Sequence, residues 1–99
     1  PEGAIVTSVI AFWYSGNVGD AGTLTLQRGS ETGSADTMAT CTMTANGGNH
    51  SITTTTISNA TVDNQNYSYL VVVDFTRAAV NSIKFFRVQI NYTITEPLP

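Results

Sequence analysis

Thr37-Met38-Ala39-Thr40-Cys41-Thr42-Met43-Thr44 runs straight into Ala45-Asn46-Gly47-Gly48-Asn49 and then His50-Ser51-Ile52-Thr53-Thr54-Thr55-Thr56-Ile57. The first run alternates, with Ala39, Cys41 and Met43 on one side and Met38, Thr40 and Thr42 on the other. A period of two is that of a β-strand with one buried face. Asn46-Gly47-Gly48-Asn49 is the strongest turn signal in the chain, because Asn and Gly tolerate positive φ. Strand, turn and threonine-rich strand together predict β-structure built on antiparallel pairs.

The same punctuation extends in both directions. Ala4 to Tyr14 reads as a strand ended by Ser15-Gly16-Asn17 and Gly19-Asp20. Thr23 to Arg28 follows, with Leu24 and Leu26 alternating against Thr23, Thr25 and Gln27, and Gly29 to Asp36 is a loop. Beyond the threonine-rich strand His50 to Ile57, Ser58 to Asn66 is an irregular connector. Tyr67 to Phe75 and Ile83 to Ile94 are the two strongest strands, and the gap from Thr76 to Ser82 has room for one helical turn at Arg77-Ala78-Ala79-Val80. Glu96-Pro97-Leu98-Pro99 cannot continue a central strand. No apolar period of 3.6 residues is long enough for a helix, and no internal repeat is visible. The expected fold is all-β: one domain over residues 1–99, an antiparallel β-sandwich of jelly-roll type with six to eight short strands.

Composition agrees. The 99 residues include sixteen Thr but only four Leu and one Lys, a bias toward residues that suit a pleated surface and away from strong helix formers. A chain of this size buries about two thirds of its unfolded surface, enough for a modest core. Four basic residues stand against seven carboxylates, so the clustered Lys and Arg that drive nucleic-acid binding are missing. No apolar run reaches the eighteen residues of a membrane span, and no signal peptide is recognisable. The opening Pro1-Glu2-Gly3, without methionine, reads as the start of a processed or excised piece. Cys41 has no second cysteine to pair with and reads as a small buried hydrophobe.

One feature exceeds an ordinary sandwich, in which each strand with a wet face alternates apolar and polar residues. Phe12-Trp13-Tyr14 puts aromatics on both faces. Tyr69-Leu70-Val71-Val72-Val73 is apolar at both parities, and Ile83, Phe85, Phe86, Val88 and Ile90 also come from both. One parity fills a core, and the other requires cover, as large exposed apolar patches do. A second copy of the chain is the expected cover, with Phe12, Tyr14, Leu70, Val72 and Phe86 as interface residues. The alternative is that β-bulges shift the parity within a strand.

Other candidate sites have simpler readings. His50 reads as a solvated histidine where a loop meets a strand, and no Gly-x-Ser-x-Gly elbow accompanies the Ser and Asp residues. Asp74, inside an apolar strand, is expected to face solvent or to pair with an arginine such as Arg87. Asp63-Asn64-Gln65-Asn66 gathers oxygen ligands but lacks the spacing, bend glycine and closing glutamate of an EF-hand. Asx capping of the next strand accounts for it. Asn49, Asn59, Asn66 and Asn91 open Asn-x-Ser/Thr sequons that matter only in a glycosylating host. Trp13, Tyr14, Tyr67 and Tyr69 suit sugar stacking if exposed, with Trp13 and Tyr67 the candidate glycan contacts, and core packing is the alternative. No metal or cofactor is expected, and no catalytic constellation is recognisable.

The pattern Gly3-Ala4-x-Val6-x-x-Val9, then Leu24-Thr25-Leu26-Gln27-Arg28, then Val62-Asp63-Asn64-x-x-Tyr67-x-Tyr69, then Val88-x-Ile90-x-Tyr92-Thr93 resembles β-rich tail-fibre-like modules of bacterial and phage proteins. The resemblance spans nearly the whole chain and its motifs are structural, marking strand edges and an Asx turn. It implies trimerisation and contact with surface glycans, and it carries over no functional residue. The expectation is therefore a non-enzymatic structural or adhesion module of an extracellular or virion-surface assembly, acting as a homo-oligomer. A carbohydrate-binding module beside a lost enzyme domain is the competing class.

Overall fold

The computed structural model describes residues 2–15, 21–30, 32–44, 48–76 and 83–94. Among these residues six strands are found: β1 (Ile5–Ser15), β2 (Ala21–Ser30), β3 (Ala35–Thr44), β4 (Gly48–Thr54), β5 (Tyr67–Thr76) and β6 (Ile83–Thr93). They form two antiparallel three-stranded sheets, β4-β1-β6 and β3-β2-β5, arranged as a sandwich around one core. The strand count falls at the low end of the expected six to eight. The helical turn expected at Arg77–Val80, Asn46 and Gly47 of the expected turn, the Gly16–Asp20 turn and the terminal prolines lie outside the described residues.

Strand bounds differ from the sequence reading where pairing, not composition, decides them. β2 and β3 extend into the expected Gly29–Asp36 loop because Arg28 and Gly29 pair with Asp36 and Ala35. β4 stops at Thr54, short of Ile57, since its register with β1 ends at Val9. The connector then takes over the same edge. The Val6 N–H donates to the Ala60 carbonyl (2.9 Å), the Val62 N–H to that of Ala4 (2.8 Å), and Ile5 bridges Thr61. Asn59, at φ 52°, makes the bend that returns the chain to β1, a left-handed conformation that asparagine tolerates better than most residues.

Three bulges set the parity of the side chains. On β3, Leu26 pairs with Ala39 and Gln27 with Thr37, leaving Met38 as the extra residue. Strict alternation places Met38 outward with Thr40 and Thr42. The bulge instead turns it into the core beside Ala39, fully buried. On β1, Thr7 is the extra residue between Val6 and Ser8, and its hydroxyl donates to the Asn91 carbonyl (3.2 Å). On β6, Trp13 pairs with Phe85 and Phe12 with Arg87, so Phe86 is extra. A classic bulge sets two residues against one and locally shifts the alternation.

The core is uneven. Val6, Val9, Ala11 and Trp13 of β1, Leu24 and Leu26 of β2, and Met38, Ala39, Cys41 and Met43 of β3 form the buried cluster. β5 and β6 add only partly buried side chains, among them Tyr69, Val73, Phe75, Phe85, Val88 and Ile90. The closest approaches between sheets are β3 against β1 and β3 against β4, where Ala11, Ala39 and Cys41 are small. The Cys41 thiol there donates to the Val9 carbonyl across the interior (3.6 Å), and burial pushes its pKa up, opposed by hydrogen bonding to the Ala11 and Thr54 backbone. The sandwich is thus tight along β3 and thin along β5 and β6.

Candidate functional site

β5 and β6 are the edge strands of the thin flank, one in each sheet. On β5 the register with β2 runs unbroken from Ala21–Thr76 to Ser30–Tyr67, so alternation holds along its whole length. Leu24 opposite Val73 and Gly22 opposite Phe75 fix the inward parity, and Leu70, Val72 and Asp74 therefore point out of the second sheet. Leu70 is 45% exposed and Val72 38%, while Val71, although of inward parity, is still 36% exposed because it lies at the open edge. Gly22 is what lets β5 sit close: the Phe75 ring lies 2.6 Å from where a Cβ on Gly22 would be.

β6 resolves differently. The bulge at Phe86 brings Phe85, Val88 and Ile90 all to the inner side, so the apparent second apolar face of this strand does not exist. The bulge alternative is the correct one here. Phe86 itself, on the bulge, is 56% exposed. Lys84 and Arg87 lie on the outer face, where the Arg87 guanidinium covers the Phe12 ring at 4.1 Å and the Lys84 ammonium stands 5.9 Å from that of Tyr14. Cations over aromatic faces are attracted by the ring quadrupole. These two contacts give Phe12 and Tyr14 intramolecular cover, and both are half-buried.

The five expected interface residues thus fall on different surfaces. Leu70 and Val72 share the outer face of the second sheet, Phe12 and Tyr14 the outer face of the first, and Phe86 the β6 edge. Val71, Tyr92 and Ile94 are also exposed and escaped the sequence reading. Their exposure follows from lying at or beyond an edge, which no local pattern reports.

Between the flanking edges is an apolar cleft of about 300 Å³, walled by Val6, Leu26, Met38, Tyr69, Ile90 and Tyr92 among others. The connector closes one end of it. Asp63 Oδ1 accepts from the Gln65 and Asn66 N–H groups (3.2 and 3.3 Å), and Oδ2 accepts from Asn66 Nδ2 (2.9 Å). The Asn66 side chain is the main reason the Asp63 carboxyl is held below its usual pKa; it outweighs desolvation, with smaller help from the Asn66 and Gln65 backbone donors and from Arg28. The Asp63 N–H in turn donates to the Tyr69 hydroxyl (2.7 Å). This is the Asx cap at the entry to β5. Among the described residues no three His, Cys, Asp or Glu side chains gather as a metal site.

Beside this loop a second, polar hollow of about 260 Å³ is lined by Ser30, Asn64, Gln65, Asn66, Tyr67 and Ser68. The Arg28 guanidinium lies 4.0 Å over the Tyr67 ring and donates from Nε to Asp36 Oδ2 (2.9 Å), a bond that holds its pKa above the usual value. Trp13, the other aromatic considered for glycan contact, is only 3% exposed and belongs to the core. His50 is not a solvated loop residue. It lies half-buried in β4 opposite Trp13, with ring centroids 5.4 Å apart. Asp74 faces solvent on the second sheet, while Arg87 is on the outer face of the first, over Phe12. Asn91 spends its side chain on Ser8 Oγ (2.8 Å), and the Asn49, Asn59 and Asn66 sequon side chains are exposed.

Among the described residues no helix is long and apolar enough to cross a membrane. No protein-family model, curated protein or solved structure matches the chain.

Proposed function

We propose that the chain is a non-enzymatic structural or adhesion module of an extracellular or virion-surface assembly, acting through self-association. The observation that carries this is the β5 edge, where Leu70, Val71 and Val72 are exposed on a strand with no bulge to explain its two apolar parities. Exposed apolar surface of this kind marks interaction sites. The jelly-roll form of the sandwich belongs to the same proposal. Pairing of the first strand with the last and of the second with the fifth is that of a long hairpin folded over, although β3 and β4, which would complete it, sit in opposite sheets. Mass in solution by light scattering is the test. A homo-oligomer at micromolar concentration is expected, the tail-fibre resemblance implying a trimer, and a monomer would overturn the proposal.

Glycan binding is the second reading, and the polar hollow beside Tyr67 favours it. Amide and hydroxyl groups of Asn64, Gln65, Asn66, Ser30 and Ser68 next to one aromatic ring suit a sugar's mixed polar and apolar surface. Calorimetric titration with soluble oligosaccharides tests it. Binding that Tyr67→Ala abolishes supports the hollow as the site, and no heat with any of them removes this reading.

A further inference from the structure

The four edge strands are not equally protected against pairing with another chain. β3 is bulged at Met38, whose carbonyl accepts from the Ser58 N–H of the connector (2.8 Å). β4 has seven residues, and the connector continues its edge beside β1. β6 carries the Phe86 bulge together with Lys84 and Arg87. These are the usual devices that blunt an edge: bulges, basic residues, shortness and cover. Among the described residues β5 has none of them. It is ten residues long, in unbroken register with β2, free of proline, lysine and arginine, with Asp74 as its one carboxylate. Its outer side presents a regular row of backbone N–H and C=O groups.

We infer that β5 is the contact between copies: it pairs antiparallel with β5 of a second copy about a two-fold axis at Val71, joining two three-stranded sheets into one of six strands. This rests on the self-association proposed above and fixes where and how it occurs. The strand's own side chains select both occupant and register. Centred on Val71, nine residues of each copy pair, Tyr67 to Phe75. Leu70 then lies opposite the partner's Val72, twice over, on the face where both are exposed. Asp74 meets the partner's Ser68, whose hydroxyl can donate to the carboxylate. The two carboxylates stand about 20 Å apart along the strands at some 3.4 Å per residue, so no like charges meet. Centring on Val72 instead sets Asp74 against the partner's Leu70, pairing a charge with an exposed apolar group. A contact with β6 of another copy would bring Lys84 and Arg87 near Asp74, but the Phe86 bulge interrupts its ladder, and such a head-to-tail contact closes only where its rotation completes a ring.

A cysteine scan in the native chain tests the register. Directly opposed residues in an antiparallel pair have Cα atoms about 4.5–5.5 Å apart, within the 4.4–6.8 Å span of a disulfide. Val71→Cys should form a disulfide-linked dimer under mild oxidation. Ser68→Cys, also exposed but about 20 Å from its counterpart, should not, and the parent, whose Cys41 is buried, is the blank. Val72→Lys should keep the β spectrum and weaken association at least tenfold. A parent mass of two copies with cross-linking confined to Val71→Cys supports the contact. A trimer, a fibre, or equal cross-linking at Ser68→Cys overturns this contact and leaves self-association standing. A monomeric parent overturns both.

Discussion

β5 and β6 flank the same side of the molecule, one in each sheet, at ten and eleven residues. Both carry apolar residues at consecutive positions. In β6 one extra residue shifts the alternation, so Phe85, Val88 and Ile90 all reach the interior and the outer face is left to Lys84, Arg87 and Gln89. In β5 no residue is extra, and Leu70 and Val72 are held outward as firmly as Val73 and Phe75 are held inward. The two strands show that apolar residues at both parities have two meanings, a kinked strand or an apolar face left exposed. Only the register distinguishes them.

The sharpest way to break that contrast is the pair Phe85→Lys and Phe86→Lys. Phe85 packs on the core opposite Trp13. Because Phe85 is only partly buried, its replacement should cost about half to all of the 3–5 kcal/mol of removing a fully buried phenylalanine, a large share of what a modest core supplies. Phe86→Lys, on the bulge, should stay within about 0.5 kcal/mol of the parent monomer. Urea unfolding reads both, and equal costs would mean that the bulge is elsewhere. Next in size is Gly22→Ala, which tests how β5 is seated. The new methyl must displace the Phe75 ring and costs about 1–3 kcal/mol by overpacking, and a Phe75→Leu background should recover much of it.

A smaller effect is expected on the β6 side. Arg87→Gln removes the guanidinium from the Phe12 face and should cost about 0.5–1 kcal/mol, with Phe12→Leu abolishing the difference in a double-mutant cycle. The smallest is a slope with pH at the entry to β5. The folded Asp63 carboxyl titrates below its ordinary value, so its contribution is present above that value and is lost as pH falls through the depressed one. Below about pH 4, where an ordinary aspartate protonates, the parent should lose stability more steeply than Asp63→Asn. Parallel acid melts of the two would count against the Asx cap.

Much of this was legible in the chain. Alternation in Thr23–Arg28 and most of Thr37–Thr44 reports strands directly, whereas Tyr67–Phe75 reads as a strand from its composition and only its register with β2 shows that Leu70 and Val72 point outward. Met38 was not legible, because an extra residue is defined by the partner strand and leaves no local trace. Phe86 has the same cause. His50 was misplaced because turn residues precede it, whereas its position is fixed by pairing with Trp13 thirty-seven residues earlier. Which strands form edges is likewise a property of the sheet order. That is why the exposure of Val71 and Tyr92 cannot be read from their own stretches of sequence.

Pairing of β1 with β6 begins at Ile5 with Thr93 and runs inward to Ser15 with Ile83. Tension applied through these two strands therefore reaches the ladder at a single end. Its hydrogen bonds then load one after another, not together, and the strands peel apart as a zipper does. Forced unfolding is governed by the barrier to separation, and peeling keeps that barrier low. The fold is therefore mechanically soft along its own chain, and in the proposed assembly load would have to travel sideways, from copy to copy.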